Sequence, residues 1–99
     1  MLPSVVMSLA QLSYFVAVAE EGTIGRAAAR LHVSQPPISR QLRSLEDELG
    51  ARLFDRTRAG VTLRPEGRVF LDYARQVLDT LDRASAAVRA SHDDTTPDT

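Results

Sequence analysis

The sequence predicts a mainly α-helical fold: a winged helix-turn-helix of three helices and a two-stranded wing, followed by a long linker helix. Two helical repeats of apolar residues, joined by a short turn within about residues 24–43, predict the helix-turn-helix. Two short β-prone segments around a turn that contains Gly60 predict the wing. A heptad-like run of apolar residues after Pro65 predicts the long helix.

The first two helices are expected to support the third. Helix 1 should run from about Ser8 to Glu20, because apolar residues recur along one of its faces. Gly22 is a suitable stop for this helix, since glycine readily adopts the left-handed conformation. Thr23 then serves as the N-cap of helix 2. Helix 2 is short and rich in alanine, and small side chains allow two helices to approach closely.

The third helix is expected to present a recognition surface. It follows a turn at residues 31–33, with Ser34 as its N-cap and two prolines in its first turn. Gly50 ends the helix. Its core-facing residues are spaced by four, three and four positions. They are Ile38, Leu42, Leu45 and Leu49.

The wing and the long helix complete the predicted domain. The wing strands are expected at Leu53–Arg56 and Val61–Leu63. Pro65 then opens a fourth helix that should run to about Ala90. The polar, acidic end of the chain is predicted to be disordered. The predicted parts are a leader (1–7), the winged helix-turn-helix (8–65), the linker and dimerisation helix (66–90) and the tail (91–99).

The charge of the chain is unevenly distributed. The net charge is −1 at pH 7, but residues 23–68 hold nine arginines against five acidic residues, a local net charge of +4. The segments before and after are acidic, with local net charges of −2 and −3. All basic residues other than histidine are arginines, which suit bidentate contacts with phosphate or guanine. This distribution favours nucleic-acid binding by the central segment.

The exposed sides of helix 3 and of the wing carry groups that can contact DNA. On helix 3, amide, hydroxyl and guanidinium groups follow the face opposite the apolar stripe. The start of helix 2 and the basic wing tip lie beside this face in a winged helix-turn-helix. The candidate DNA-binding residues are Thr23, Arg26, Ser34, Gln35, Pro36, Pro37, Ser39, Arg40, Arg43, Arg56, Thr57 and Arg58.

Some of these residues have a structural alternative. Arg43 can pair with Asp47, four residues later on the same helix, instead of contacting a phosphate. The amide of Gln35 can read adenine, or the residue can simply occupy the helix start. Arg56 and Arg58 can make the wing soluble without contacting DNA.

The fourth helix has its own apolar seam, with spacings of four, three, four, three and four residues. A helix of about 25 residues would be roughly 38 Å long, which is more than so small a domain can cover. We therefore expect dimerisation through this helix, the alternative being a helix folded back over its own core. The candidate dimerisation residues are Phe70, Ala74, Val77, Leu81, Ala84 and Val88.

Several function classes are excluded. The absence of cysteine excludes disulfides, thiolate catalysis and cysteine-based zinc sites. No apolar run approaches the roughly 20 residues needed to cross a bilayer, so we expect no membrane partner and a cytoplasmic, nucleoid-associated location. We find no nucleophile with a base, no phosphate loop and no metal-ligand spacing, so we expect no enzyme, metal, cofactor or small-molecule site. Glu46, Asp47 and Glu48 are interpreted as a solvated acidic face.

Four stretches of the chain carry specific motifs: Tyr14–Gly22, Arg26–Gln41, Leu45–Arg56 and Leu63–Gly67. The second contains S-Q-P-P-I-S-R, and L-G-x-x-L-F-x-R falls at the end of the third. With these motifs, the segment from about Leu9 to Gly67 resembles the N-terminal DNA-binding domain of LysR-type transcriptional regulators. The resemblance covers about three-fifths of the chain.

This resemblance implies a winged helix-turn-helix and a linker helix that pairs antiparallel with its copy in a second subunit. It implies a homodimer on double-stranded promoter or operator DNA, and leaves room for a higher oligomer in a full-length protein. Arg56 and Arg58 then fall on the wing, near the DNA backbone or the minor groove. The residues that fall where the family's recognition helix meets the major groove are Gln35, Pro36, Pro37, Ser39 and Arg40.

The chain departs from the family pattern in three places. Family members are usually about three times as long, with a C-terminal domain that binds a small co-inducer, and nothing in this sequence corresponds to it. The usual start of the family aligns with Met7, so residues 1–6 are interpreted as an extension or a misassigned start. Gly25 stands where the family commonly has a hydroxyl residue, which lowers helix propensity and removes one possible phosphate contact.

Two functions remain open. The first is sequence-specific, dimeric binding of double-stranded DNA as the reading module of a bacterial transcription regulator. The alternative is a truncated LysR-like interaction protein, whose fourth helix pairs with full-length regulators and titrates them. An intact face of Gln35, Ser39 and Arg40 favours direct binding, because a protein that only titrates need not keep a surface for the DNA groove.

Overall fold

The computed structural model describes residues 7–95 and contains the predicted winged helix-turn-helix and long helix. Residues 1–6 of the predicted leader and 96–99 of the predicted tail lie outside the described part. The long helix continues about five residues beyond its predicted end near residue 90, so residues 91–95 are helical rather than part of a disordered tail. The elements are α1 (Leu9–Glu21), α2 (Ile24–Leu31), α3 (Gln35–Leu49), β1 (Phe54–Thr57), β2 (Gly60–Leu63) and α4 (Pro65–Thr95).

The helix ends follow from local sequence, with one difference from prediction. Thr23 caps α2 by accepting a hydrogen bond from the backbone N–H of Arg26 (3.0 Å), and Gly22 ends α1 in the left-handed conformation. Ser34 occupies the N-cap position of α3, but its side chain makes no capping hydrogen bond. A capping hydroxyl accepts from the second or third helical N–H. Here Pro36 and Pro37 occupy those positions and have no N–H to donate.

The core forms where α1, α2 and α3 meet, and the wing and the start of α4 close it. The ring of Phe15, which is fully buried, lies at its centre. Its centroid is 5.3 Å from that of Phe54 at the base of the wing and 5.2 Å from that of Phe70 on α4. The apolar stripe of α3 points inward as predicted: Ile38, Leu42 and Leu45 are buried.

The wing is an antiparallel pair that is joined to the end of α1. Phe54 pairs with Leu63 and Thr57 pairs with Gly60. The backbone N–H of Val61 donates to the carbonyl of Gly22 (3.0 Å). Gly60 has a φ of 142° and leaves no room for a side chain against that same carbonyl. This close approach holds the start of β2 beside the end of α1.

The helix α4 has two halves with different surroundings. The proximal half (residues 65–78) packs on the body, which we define as residues 8–64, and the side chains of Leu71 and Ala74 are buried there. In the distal half (residues 79–95), every residue from 79 to 92 is exposed. The helix has 31 residues, which makes it about 46 Å long, and the longest dimension of the molecule is 61 Å.

This division corrects the predicted dimerisation seam. Ala74 is only 1% exposed and lies in the half of α4 that packs on the body, so it does not belong to an exposed seam. Phe70 is half-buried with its ring against Phe15, so it belongs mainly to the core. The alternative of a helix folded back over its own core thus holds for the proximal half. The remaining predicted seam residues, Val77, Leu81, Ala84 and Val88, are exposed.

Candidate nucleic-acid interface

The predicted recognition residues of α3 lie outside its buried stripe. Arg40 and Arg43 are exposed, and Ser39 is half-buried. In the first turn, Gln35 and Pro36 are exposed and Pro37 is half-buried. The structure therefore brings an amide, a hydroxyl and two guanidinium groups to one side of a helix that presents them to solvent.

Arg43 does not form the ion pair that its spacing allows. Within residues 7–95, no salt bridge joins Arg43 to Asp47. Both side chains are exposed on the rim of a shallow concavity of about 650 Å³ between α3 and the wing. The guanidinium of Arg43 is therefore accessible to an anion on this face.

The start of α2 lies beside the start of α3. The hydroxyl of Thr23 is engaged in capping, while Arg26 is exposed and donates from Nη1 to the carbonyl of Glu21 (3.4 Å). The Gln35 amide lies over Gly25: its Nε2 atom is 3.5 Å from where a Cβ at residue 25 would be. The residue that departs from the family pattern therefore borders a predicted recognition residue.

At the wing tip, Arg58 is exposed in a two-residue turn between Thr57 and Gly60. The Thr57 hydroxyl accepts from the N–H of Ala59 (3.2 Å) and donates to the carbonyl of Gly60 (3.3 Å). Thr57 therefore shapes the turn, and the guanidinium of Arg58 projects from it into solvent.

Arg56, the other predicted wing contact, points toward α3. Along β1, Phe54 and Arg56 face the body and Asp55 and Thr57 face solvent. The Nη2 atom of Arg56 is buried and lies 3.7 Å from Oε1 of Glu46. The structure thus separates the two wing arginines, with Arg58 at the tip and Arg56 at the junction with α3.

The contacts of Glu46 contradict the interpretation of residues 46–48 as a solvated acidic face. Its carboxylate accepts hydrogen bonds from the backbone N–H groups of Leu53 (2.8 Å) and Phe54 (3.3 Å). Sequence reasoning missed this role because the donors are seven and eight residues away and belong to the backbone. Three consecutive acids on a helix carry no signal that shows which of them accepts hydrogen bonds from the backbone of another element.

A second charged cluster joins α4 to the helix-turn-helix. Oε2 of Glu20 accepts from Arg75 on α4 (2.8 Å), and its Oε1 accepts from Arg30 on α2 (2.8 Å). The hydrogen bonds from Arg75 and then Arg30 lower the pKa of the Glu20 carboxyl. Glu20 and Arg75 are 55 residues apart, so neither periodicity nor spacing indicates this pair.

In the part of the chain that the structure describes, no three His, Cys, Asp or Glu residues are grouped so that they could hold a metal ion. None of the helices between residues 7 and 95 combines the length and the apolar character that a membrane span needs.

Comparison with known proteins identifies the family. The family model described as "Bacterial regulatory helix-turn-helix protein, lysR family" matches residues 9–68. The HTH-type transcriptional regulator TfdT of Cupriavidus pinatubonensis is 53% identical over 85 residues, which cover 86% of this chain and 37% of TfdT. For ClcR of Pseudomonas putida the identity is 52% over 85 residues, covering 86% of this chain and 29% of ClcR. The chain therefore spans about a third of the length of these relatives.

Solved structures agree with this result. The CbnR DBD–DNA complex matches with a TM-score of 0.82 and 47% identity, over 86% of this chain and 98% of that chain. The BenM DBD/catB site 1 DNA complex has a TM-score of 0.82 and 42% identity, over 85% and 94% of the two chains. The named relatives are transcriptional regulators, not enzymes. The chain belongs to the lysR family of bacterial regulatory helix-turn-helix proteins.

Proposed function

We propose that this chain binds double-stranded DNA in a sequence-specific manner, as the reading module of a LysR-type transcription regulator, and that it acts as a dimer. The observation that carries the proposal is the surface of α3 outside its buried stripe, where Gln35 and Arg40 are exposed and Ser39 is half-buried. A helix enters the major groove with such a surface, and these side chains can bind base edges there.

The surroundings of this face support the same function. Arg26 at the start of α2 and Arg58 at the wing tip are exposed on separate elements, where they can neutralise phosphates on either side of a groove. The solved relatives that were crystallised as DNA complexes share the fold of this chain. Phosphate contacts of this kind fix the register of the protein, and the α3 side chains then supply specificity.

Selection from randomised duplex DNA with the purified 99-residue chain tests the proposal. We expect an enriched sequence, against which Arg40→Ala costs about 1–3 kcal/mol of binding free energy and less on unrelated DNA. Equal weakening on both DNAs would make Arg40 a phosphate contact. No enrichment and no salt-dependent binding would refute the proposed function.

The proposed dimer forms through the distal half of α4, with Val77 at the end of the proximal half. Val77, Leu81 and Val88 lie on one side of this helix at heptad-like spacing, and Leu81 remains 43% exposed. Antiparallel pairing of two such helices would cover these side chains and carry a body at each end. Linking two bodies raises the effective concentration of the second one at a neighbouring half-site.

The same exposed seam also suits the alternative function, in which this chain pairs with longer relatives and titrates them. The two functions make different predictions about whether the chain binds DNA as a homodimer. A chain that binds a two-half-site duplex as a homodimer is a reading module. A chain that forms only mixed dimers, and that removes longer relatives from DNA, is a titrator.

A further inference from the structure

The carboxylate of Glu46 connects α3 to the base of the wing. Its Oε2 accepts the N–H groups of Leu53 and Phe54 at 2.8 and 3.3 Å, where the chain enters β1. The Glu46 side chain is 13% exposed. Hydrogen bonds from backbone N–H groups to a carboxylate are among the stronger ones in proteins. Two such bonds therefore attach the first residues of the wing directly to the helix.

The other oxygen of the same carboxylate faces Arg56. The distance from Oε1 to Nη2 of Arg56 is 3.7 Å, and this Nη2 is buried without a hydrogen-bond partner among the described residues. Because Arg56 alternates with exposed Asp55 and Thr57 along β1, its side chain is directed at α3. Glu46 thus contacts the base of the wing at two backbone N–H groups and at the inward-facing side chain of Arg56.

The segment that Glu46 holds is a junction of three elements. The carbonyl of Leu53 accepts a hydrogen bond from the N–H of Arg64, just before α4 (2.9 Å). Gly67, in the first turn of α4, approaches that carbonyl so closely that a Cβ would collide with it. The orientation of the wing relative to α3 therefore depends on how Leu53 is held.

We propose that Glu46 is a positioning residue for DNA binding: its carboxylate fixes the base of the wing on α3, so that Arg58 at the tip reaches the phosphate backbone. Arg56 is then part of the attachment and does not contact DNA. This inference rests on the proposed function. An acid near a DNA-binding surface ordinarily repels phosphates, so its removal strengthens DNA binding. The removal of the Glu46 carboxylate should instead weaken DNA binding.

The test measures binding to the selected duplex and to an unrelated duplex over a range of salt concentrations. Glu46→Ala should weaken binding about tenfold and lower the slope of log K against log salt by about 1, because the Arg58 contact is lost. Glu46→Gln keeps an oxygen that accepts the two N–H groups and should stay within about threefold of wild type. The control Asp47→Asn changes an exposed acid on the same helix and should not weaken binding.

Two further variants separate positioning from simple loss of stability. Arg58→Ala should lower the slope by about 1, and adding Glu46→Ala should lower it no further, since one contact can be lost only once. Arg56→Met loosens the same attachment, so it should weaken binding, and adding it to Arg58→Ala should lower the slope no further than Arg58→Ala alone. A double variant whose slope falls by about 2 would make Arg56 a phosphate contact and overturn the proposal.

The proposal can still be tested if the Glu46→Ala variant does not fold. Circular dichroism shows whether Glu46→Ala folds, and if it does not, the Arg56→Met and Glu46→Gln results decide. Unchanged or stronger binding by folded Glu46→Ala, as for Asp47→Asn, would overturn the positioning role alone. A wild-type chain that binds neither duplex would overturn the proposed function together with this inference.

Discussion

The two halves of α4 carry the same kind of apolar stripe in different surroundings. In the proximal half, Leu71 and Ala74 are buried against the body. In the distal half, Leu81 is 43% and Val88 is 68% exposed. Both stripes repeat at three and four residues, so the repeat identifies an apolar face and not the surface that covers it. The covering surface depends on where the body ends.

Under the proposed function, this difference assigns the two halves to separate tasks. The proximal half belongs to the fold of one chain and positions the body, whereas the distal half is available to a second copy. Substitutions on one stripe should then unfold the protein, and substitutions on the other should only separate its copies.

The largest effect is expected for Ala74→Asp in the proximal half. This change places an unpaired charge in the core, which costs about 3–5 kcal/mol and is a large fraction of the stability of a small domain. Thermal unfolding followed by circular dichroism should show a strongly lowered midpoint. Ala84→Asp, the same change on the exposed distal stripe, should leave the body folded. Equal stability of the two variants would contradict the division of α4.

A change at Leu81 should act on DNA binding rather than on folding. Burial of a leucine contributes about 1.5–3 kcal/mol, so Leu81→Asp in both copies should cost more than that and separate them. Binding to a duplex with two half-sites should fall at least about tenfold, because the linked second body is lost. Binding to a single half-site should not change.

Ala86→Asp provides the matched control for Leu81→Asp. Residue 86 is exposed and lies on the side of α4 away from the Val77, Leu81 and Val88 stripe. The Ala86→Asp variant should bind the two-half-site duplex as tightly as the wild type does. A similar loss in both variants would show that added charge, and not the seam, explains the effect.

What the sequence could predict depends on whether the information is local. The glycine stops at Gly22 and Gly50 and the inward stripe of α3 were predictable, because each is encoded by residues a few positions apart. The burial of Ala74 and the engagement of Glu46 were not. Both depend on groups from other elements, which meet these residues only after the chain has folded.

The two halves of α4 also differ in the ion pairs that they form. Glu20 joins Arg75 of the proximal half to α1 and α2, whereas Asp79 pairs with Arg83 within the distal half (3.0 Å). Glu20→Gln should lower the thermal midpoint slightly, and Asp79→Asn should lower it less, because an exposed pair within one helix contributes little. A larger effect at Asp79 would contradict this order.

The effect of Glu20→Gln should depend on pH. Because Arg75 and Arg30 lower the pKa of the folded Glu20 below its ordinary value of 4.5, the contribution of Glu20 to stability is fully present above that value. It is lost as the pH falls through the lowered pKa. The difference in thermal midpoint between wild type and Glu20→Gln should therefore be greatest near neutral pH and disappear in strong acid. A difference that grows in acid would contradict the assigned role.

Sedimentation equilibrium of the wild-type chain and of Leu81→Asp tests the central claim, that the distal half of α4 joins two copies. At tens of micromolar, the wild type should sediment at twice the chain mass of 10.9 kDa, and Leu81→Asp should sediment at the mass of one chain with its body still folded. A wild type that remains a monomer at these concentrations would contradict the account.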